Sequence, residues 1–331
     1  MQKRSPKTAS MVLQTETEIF KQIIPEDHAF RKLNSLLDFE KLAKPLRDLY
    51  SDVGATGIDI EKGLRALLVQ FWEDYSDREM ENCLRENMAV RWFCDFGLQE
   101  KTPVWSYFSK LRTRLGTQNV ANLFNASNEQ LREKGLFGDT FTFIDASALV
   151  TKTALWEERD RAIVEGEAKL NNVVVSKYAA DKDAKWGAKG KNKIWFGYKR
   201  HVAVDMRHGL IRKITVTPAN VLDFQVVDQI CPAGGMVFSD KLYDTKKTDL
   251  LLQANGCTSA TIRKRSNPKK NRDLDRWRSG IRMPFEGIFS KLNHRTRYRG
   301  KTKVLLQCFA EAMAHNLKKA VVLDFVVSGI R

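Results

Sequence analysis

Apolar residues recur at three-to-four spacing through "DIEKGLRALLVQFWEDY", which places Ile60, Leu64, Leu67, Leu68, Phe71 and Trp72 along one side of a helix. Ser76 comes next, and Glu79 stands three residues on. That capping box predicts a second helix through "SDREMENCLRENMAVRWFCDFG", closed at Gly97. "TPVWSYFSKLRTRLG" predicts a third, with Thr102 as cap and Pro103 at the first helical position. Three short helices joined by tight turns, the last carrying Lys110, Arg112 and Arg114, fit a helix-turn-helix-like DNA-binding module. An all-helical packing domain with a basic face fits the same pattern.

From residue 139 the periodicity changes. "TFTFIDASALV" alternates as a strand that ends at an acid, and a charged, loop-like stretch comes after it over about 151–193. "IWFGYKRHVAVDMRHGLIRKITVTPAN" then reads as two strands around the turn "DMRHG". Next come a short helix ("VLDFQVVDQI"), a buried strand ("GGMVFSD"), a helix ("TDLLLQANG"), a strand ("CTSATIRK") and a closing amphipathic helix. The order predicts an α/β fold, a mixed sheet with helices packed on it, preceded by the helical region.

Charge changes the picture more than composition does. The 331 residues carry a net charge of +16, and 43% hydrophobic content marks a folded chain. Fifteen lysines and arginines but only three acids lie between Arg263 and Lys303, so most of the excess sits in one short segment. A solvated helix face would not be so one-sided; nucleic acid is the expected partner. The apolar runs are too short to span a membrane and no signal-peptide pattern opens the chain. The start "MQKRSPKTAS" reads as a basic, flexible arm over residues 1–20. Five scattered cysteines without a C-x-x-C read as reduced thiols of a cytoplasmic protein.

Candidate chemistry rests on three carboxylates. Asp145 ends the strand "FTFIDAS", Asp240 ends "MVFSD", and Glu286 is the single acid in "SGIRMPFEGIFSKLNHRTRYRGKTK", on a helix expected to start near Pro284. Singly, each has a plainer reading: a turn or cap residue for the aspartates, and a helix-dipole preference for the glutamate. Together they form a set of hard oxygen ligands that suits divalent cations. Asp205, in the hairpin turn, reads as structural. Asn220 and Asp223 read as helix caps. Lys199, Arg200 and His201 read equally as phosphate contacts or as a solvated strand edge, and His294 and His315 find no role.

The motifs in order resemble the DDE transposases of bacterial insertion sequences, in the four/five superfamily. "FIDAS", "GYKRHVAVDMRHGLIRKITVTPANVLD", "SDKLYDT" and "IRMPFEGIFSKL…RYRG" are similar to that group's catalytic segments, and "FRKLNSLLDFEKL" with the three helices to its N-terminal domain. The resemblance covers roughly residues 28–320. It implies a helical DNA-binding domain at about 21–135 and an RNase H-like catalytic domain at about 136–325. It further implies Asp145, Asp240 and Glu286 as catalytic ligands of two Mg²⁺ ions, for which Mn²⁺ would substitute, with Arg282 binding phosphate or steadying Glu286. The chain departs from the group's pattern at Ser279, where a Tyr is expected, at Asn293, where a Lys is expected and Lys291 falls two short, and at Leu242, where Gly is favoured.

The resemblance also implies a reaction: cleavage at the ends of a mobile element and joining of the freed 3′-hydroxyls to target DNA. Terminal inverted repeats and target DNA would be the partners of a homodimer or larger synaptic assembly, associated with a prokaryotic nucleoid. Lys291, Arg295, Arg297, Arg299 and Lys301 would hold DNA, Trp277 and Tyr298 would offer stacking surfaces, and Lys110, Arg112 and Arg114 would recognise the ends. A metal-dependent nuclease on the same fold and an idle DNA-binding regulator stay open as alternatives.

Overall fold

The computed structural model describes residues 14–51, 53, 56–151, 179–189 and 193–328. Two compact units divide the chain, residues 1–136 with 313–331 and residues 137–312. The predicted basic arm (1–20) lies largely, and the charged stretch 151–193 mostly, outside the described residues.

The first unit is helical, as its periodicity predicts. Helices α1 (Gln14–Ile23), α2 (Ala29–Leu36), α3 (Phe39–Ala43), α4 (Ile60–Trp72), α5 (Asp77–Glu86), α6 (Met88–Phe93) and α7 (Trp105–Glu133) come in that order. The apolar side of α4 is buried, and Phe30 of α2 stacks on Phe93 of α6 at 4.8 Å, with Trp72 beside it at 5.9 Å. Both halves of the Ser76–Glu79 capping box are formed. The third predicted helix starts later than expected, because neither Thr102 nor Pro103 initiates it. Its first N–H, at Trp105, donates instead to Glu81 Oε2 of α5 at 2.8 Å. At Gly116 a φ of +64° breaks the helix in a conformation glycine adopts without strain, and the chain then resumes a second helical stretch to Glu133.

The second unit is built on a six-stranded sheet. Strand β1 (Phe141–Val150) lies between β3 (Lys193–Asp205) and β5 (Gly235–Ser239), and β6 (Cys257–Thr261) lies beyond β5. β3 pairs antiparallel with β1, and along its other edge with β2 (Lys185–Lys189) and then β4 (Ile211–Pro218); β1, β5 and β6 run parallel. An antiparallel meander followed by parallel strands is the RNase H-like order expected. Strand β2 was not foreseen: five residues with a central glycine carry no alternation of their own, and only pairing to β3 makes them a strand. Gly197 is where β3 passes from β2 to β4. With φ at +148°, a Cβ there would collide with the Leu149 carbonyl oxygen, so only glycine fits.

The two faces of β1 reflect its period of two. Ile144 packs with Val227, Ile230 and Leu252, from α8 (Val227–Ile230) and α9 (Lys246–Ala254). Phe143 faces the other way, toward Phe289 and the guanidinium of Arg282 on α10 (Arg272–Glu286). The chain ends in α11 (Lys301–Ser328), whose residues up to Ala312 belong to this unit. Among the described residues no helix is long and apolar enough to cross a membrane.

Candidate active site

β5 pairs with only the first three residues of β1, Phe141 to Phe143. Beyond them β1 continues alone on that side until Val150, whose N–H donates to the His294 carbonyl at 2.8 Å and whose carbonyl accepts from Thr296 at 2.9 Å. Parallel strands that part in this way leave a crevice beyond their C-terminal ends, where open α/β sheets place their ligands. Here the crevice is a cavity of about 420 Å³, and Asp145, Asp240 and Glu286 all line it.

Each carboxylate arrives from a different element. Asp145 sits in mid-strand rather than at a strand end, because the small residues Ala146, Ser147 and Ala148 pair with β3 instead of turning. Its Oδ1 accepts from the Ala146 N–H at 2.8 Å. Burial pushes its carboxyl up to about 7. The Ala146 bond works against that rise, the nearby Asp240 adds to it, and the charges of Arg282 and Lys189 oppose it. Asp240 ends β5 as predicted and caps the short 3-10 turn Lys241–Tyr243, accepting from the Leu242 N–H at 2.7 Å.

Glu286 closes its helix instead of opening it. Asn271 caps α10, accepting from the N–H groups of Asp273 and Leu274, and Pro284 lies inside the last turn. A carboxylate at a helix C-terminus gains nothing from the dipole, so the plainer reading of Glu286 loses its basis. What holds it is Arg282, one turn earlier on the same face, whose Nη2 donates to Glu286 Oε1 at 2.8 Å. Among the described residues, the other two nitrogens of that guanidinium, Nε and Nη1, are buried without an acceptor, and the Ser147 hydroxyl is buried without a partner. Unmatched buried donors are costly, and all three belong to residues that line the cavity.

Among the described residues no three carboxylate, histidine or cysteine side chains stand close enough together to hold a metal ion. The donor chemistry nevertheless fits a hard divalent cation: three carboxylates on one cavity, one of them raised by burial beside another, is the arrangement a cation would relieve.

The remaining predicted residues fall into two groups. Lys291, Arg295, Arg299 and Lys301 are exposed and Arg297 is half-exposed. The backbone beneath them is pinned: Arg297 N–H donates to Gln307, Gly300 N–H to Asp181 and Lys301 N–H to Asp183. The basic run is therefore a held surface, not a loose arm. Trp277 is half-exposed on α10 beside Phe238, Tyr298 is half-buried, and Lys110 is exposed on α7. Arg114 instead lies over the Tyr50 ring at 4.4 Å, and Arg112 makes a two-pronged pair with Asp77 at 2.6 and 2.8 Å while also donating to Gln70. Arg112 thus serves packing within the helical unit.

Sequence reasoning misplaced several neighbours. Asp223 does not cap a helix; it pairs with Lys199 at 2.8 Å, and both line the cavity. Arg200 is fully buried against Glu311, and His201 is buried against Thr217, so neither is a phosphate contact. His294, left without a role, borders the cavity. Asp205 is structural, as expected, accepting from Gly138, His208 and Arg212.

Comparison with known proteins identifies the family. Residues 136–317 match the family described as transposase DDE domain, and residues 18–114 match one described as transposase domain (DUF772). The chain belongs to the DDE transposases of insertion sequences. The transposase for insertion sequence element IS1106 of Neisseria meningitidis serogroup B is 30% identical over 228 residues, which cover 65% of this chain and 77% of that relative. No solved structure matches. This transposase is therefore an enzyme acting on DNA, and transposase DDE domains generally use divalent metals.

Proposed function

We propose that Asp145, Asp240 and Glu286 are the metal-ligating carboxylates of this transposase, and that it cuts the ends of its element and joins them to target DNA. The observation that carries this reading is that three acids from β1, the end of β5 and the end of α10 line a single cavity at the point where the sheet parts. Two Mg²⁺ ions held there, or Mn²⁺ in their place, would activate the attacking oxygen and steady the leaving one.

The chain's own residues supply the rest. Arg282 lines the cavity, and its guanidinium charge there is suited to a phosphate oxygen. Lys291, Arg295, Arg297, Arg299 and Lys301 would track the DNA backbone, while Trp277 and Tyr298 would stack on unpaired bases. On this reading water attacks the phosphodiester at each element end, and the freed 3′-hydroxyl then attacks the target strand. Holding two ends at once calls for a homodimer or larger assembly on DNA at the nucleoid. The helical unit, with Lys110 and Arg114 on α7, would read the terminal inverted repeats.

The test uses purified protein, the DNA ends that flank its gene, a supercoiled plasmid and Mg²⁺. Ends joined to the plasmid by the wild type and not by Asp145→Ala are expected. Cutting without joining would make the protein a nuclease, and binding with neither would make it a regulator.

A further inference from the structure

The segment "GYKRH" on β3 carries three basic side chains in a row, Lys199, Arg200 and His201, and they do not share one environment. Arg200 and His201 are sealed in the unit's interior, whereas Lys199 reaches the catalytic cavity. It lies directly across from Ala148 on β1, and the small side chains of Ala146 and Ala148 leave that wall open to it. Its Nζ donates to Asp223 Oδ1 at 2.8 Å and to the Val221 carbonyl at 2.9 Å. An ammonium carries three N–H donors. Among the described residues the third finds no protein acceptor.

We infer that Lys199 contacts a phosphate of the DNA at the cleavage site, and that Asp223 is a positioning residue that holds the ammonium for that contact. The inference rests on the carboxylate site proposed above. A cavity walled by acids repels a polyanion, so a fixed cation beside them has a use there that an exposed lysine elsewhere lacks. Lysine ordinarily loses much side-chain freedom on gripping a ligand. Here the Asp223 and Val221 acceptors have already fixed it, and only 15% of the Lys199 side chain and 11% of that of Asp223 remain exposed. A purely structural tether between β3 and the turn at Val221–Asp223 would be served as well by a lysine outside the cavity. The placement on the cavity wall, with a donor left over, points to the substrate.

The experiment pairs protein and substrate changes. Lys199→Ala is compared with wild type on element ends in which one phosphate at a time around the scissile bond is replaced by an uncharged methylphosphonate. Single-turnover cutting by Lys199→Ala should slow by about a hundredfold, while affinity for uncut ends changes by less than about threefold. At one phosphate position, the methylphosphonate should slow the wild type and slow Lys199→Ala no further, because the partner is already gone. Asp223→Asn should fall between the two proteins at that same position.

Additive slowing at every position, or unchanged cutting by Lys199→Ala, would overturn the inference. Should Lys199→Ala fail to fold, Lys199→Gln carries the same cycle. Failure of both to fold would make the pair structural and equally overturn it. Asp145→Ala, run alongside, separates the two levels: if it cuts like wild type the carboxylate site itself is wrong, whereas if it is inactive and Lys199→Ala is normal only the lysine contact is wrong.

Discussion

Arg112 in the helical unit and Arg282 in the catalytic unit are both arginines paired to a carboxylate, at 2.6 and 2.8 Å. The distances hardly differ, yet the surroundings do. Arg112 grips Asp77 with two prongs and adds Gln70, so its fork is engaged within the protein. Arg282 touches Glu286 through one nitrogen, lies over the Phe143 ring at 5.8 Å, and among the described residues keeps two buried donors without acceptors. A matched pair is a piece of structure. A pair left half-matched beside a cavity is a cost in the empty protein that DNA can offset.

That contrast can be broken most sharply by replacing each arginine in turn. Arg282→Met should lower single-turnover cutting by about a hundredfold or more and leave the melting temperature nearly unchanged, because it removes unmatched donors along with the pair. Arg112→Met should do the reverse, lowering the melting temperature with the cutting rate of the folded protein retained. Calorimetry with a cleavage assay on both variants decides it, and equal loss of stability in the two would erase the distinction.

Next in size is a pair sealed away from solvent within the catalytic unit. Glu311 meets Arg200 at 2.8 Å with neither exposed, and Gln307 and Asn293 donate to its other oxygen. Burial raises the Glu311 carboxyl, against the pull of Arg200. Glu311→Ala leaves a buried arginine uncompensated and should cost about 3–5 kcal/mol by denaturant unfolding, more than any single change around the cavity. A smaller effect belongs to the basic run. Replacing one of Arg295, Arg299 or Lys301 by Ala should weaken DNA binding and reduce the slope of log affinity against log salt by about one. The same change at Arg112 should leave the slope as it is.

The smallest expected effect is a pH dependence. Burial alone would raise the Asp244 carboxyl, but the Lys264 N–H, Arg263 and Asn267 together hold it below its ordinary value. A depressed carboxylate contributes stability that is complete above its unfolded-state value and is lost as pH falls through its folded one. Asp244→Asn should therefore flatten the acid side of the stability curve and leave the neutral side parallel to wild type.

How far the site could be read in the sequence depended on which interactions were local. The alternation in "FTFIDAS" and "MVFSD" is a property of neighbouring residues, and it placed both aspartates on the right strands. Asp145 read as a strand end because the small residues after it carry no pattern. Only pairing with β3, some fifty residues on, carries β1 past it to Val150. Pro284 looked like a helix start by the usual rule for proline, whereas Asn271 had already capped the helix well before it, and Gly280 and Pro284 hide its periodicity. Asp223 resembled a cap for the same reason: its lysine partner lies on β3, and nothing local reveals it.

Glu286 carries the central claim most directly, since its place at the helix C-terminus gains nothing from the helix dipole. The decisive measurement is Glu286→Gln, assayed in parallel for binding to element ends and for Mg²⁺-dependent cutting. Binding within about threefold of wild type with cutting lost is the predicted result. Cutting retained at the wild-type rate, or binding and cutting lost together in a folded protein, would contradict it.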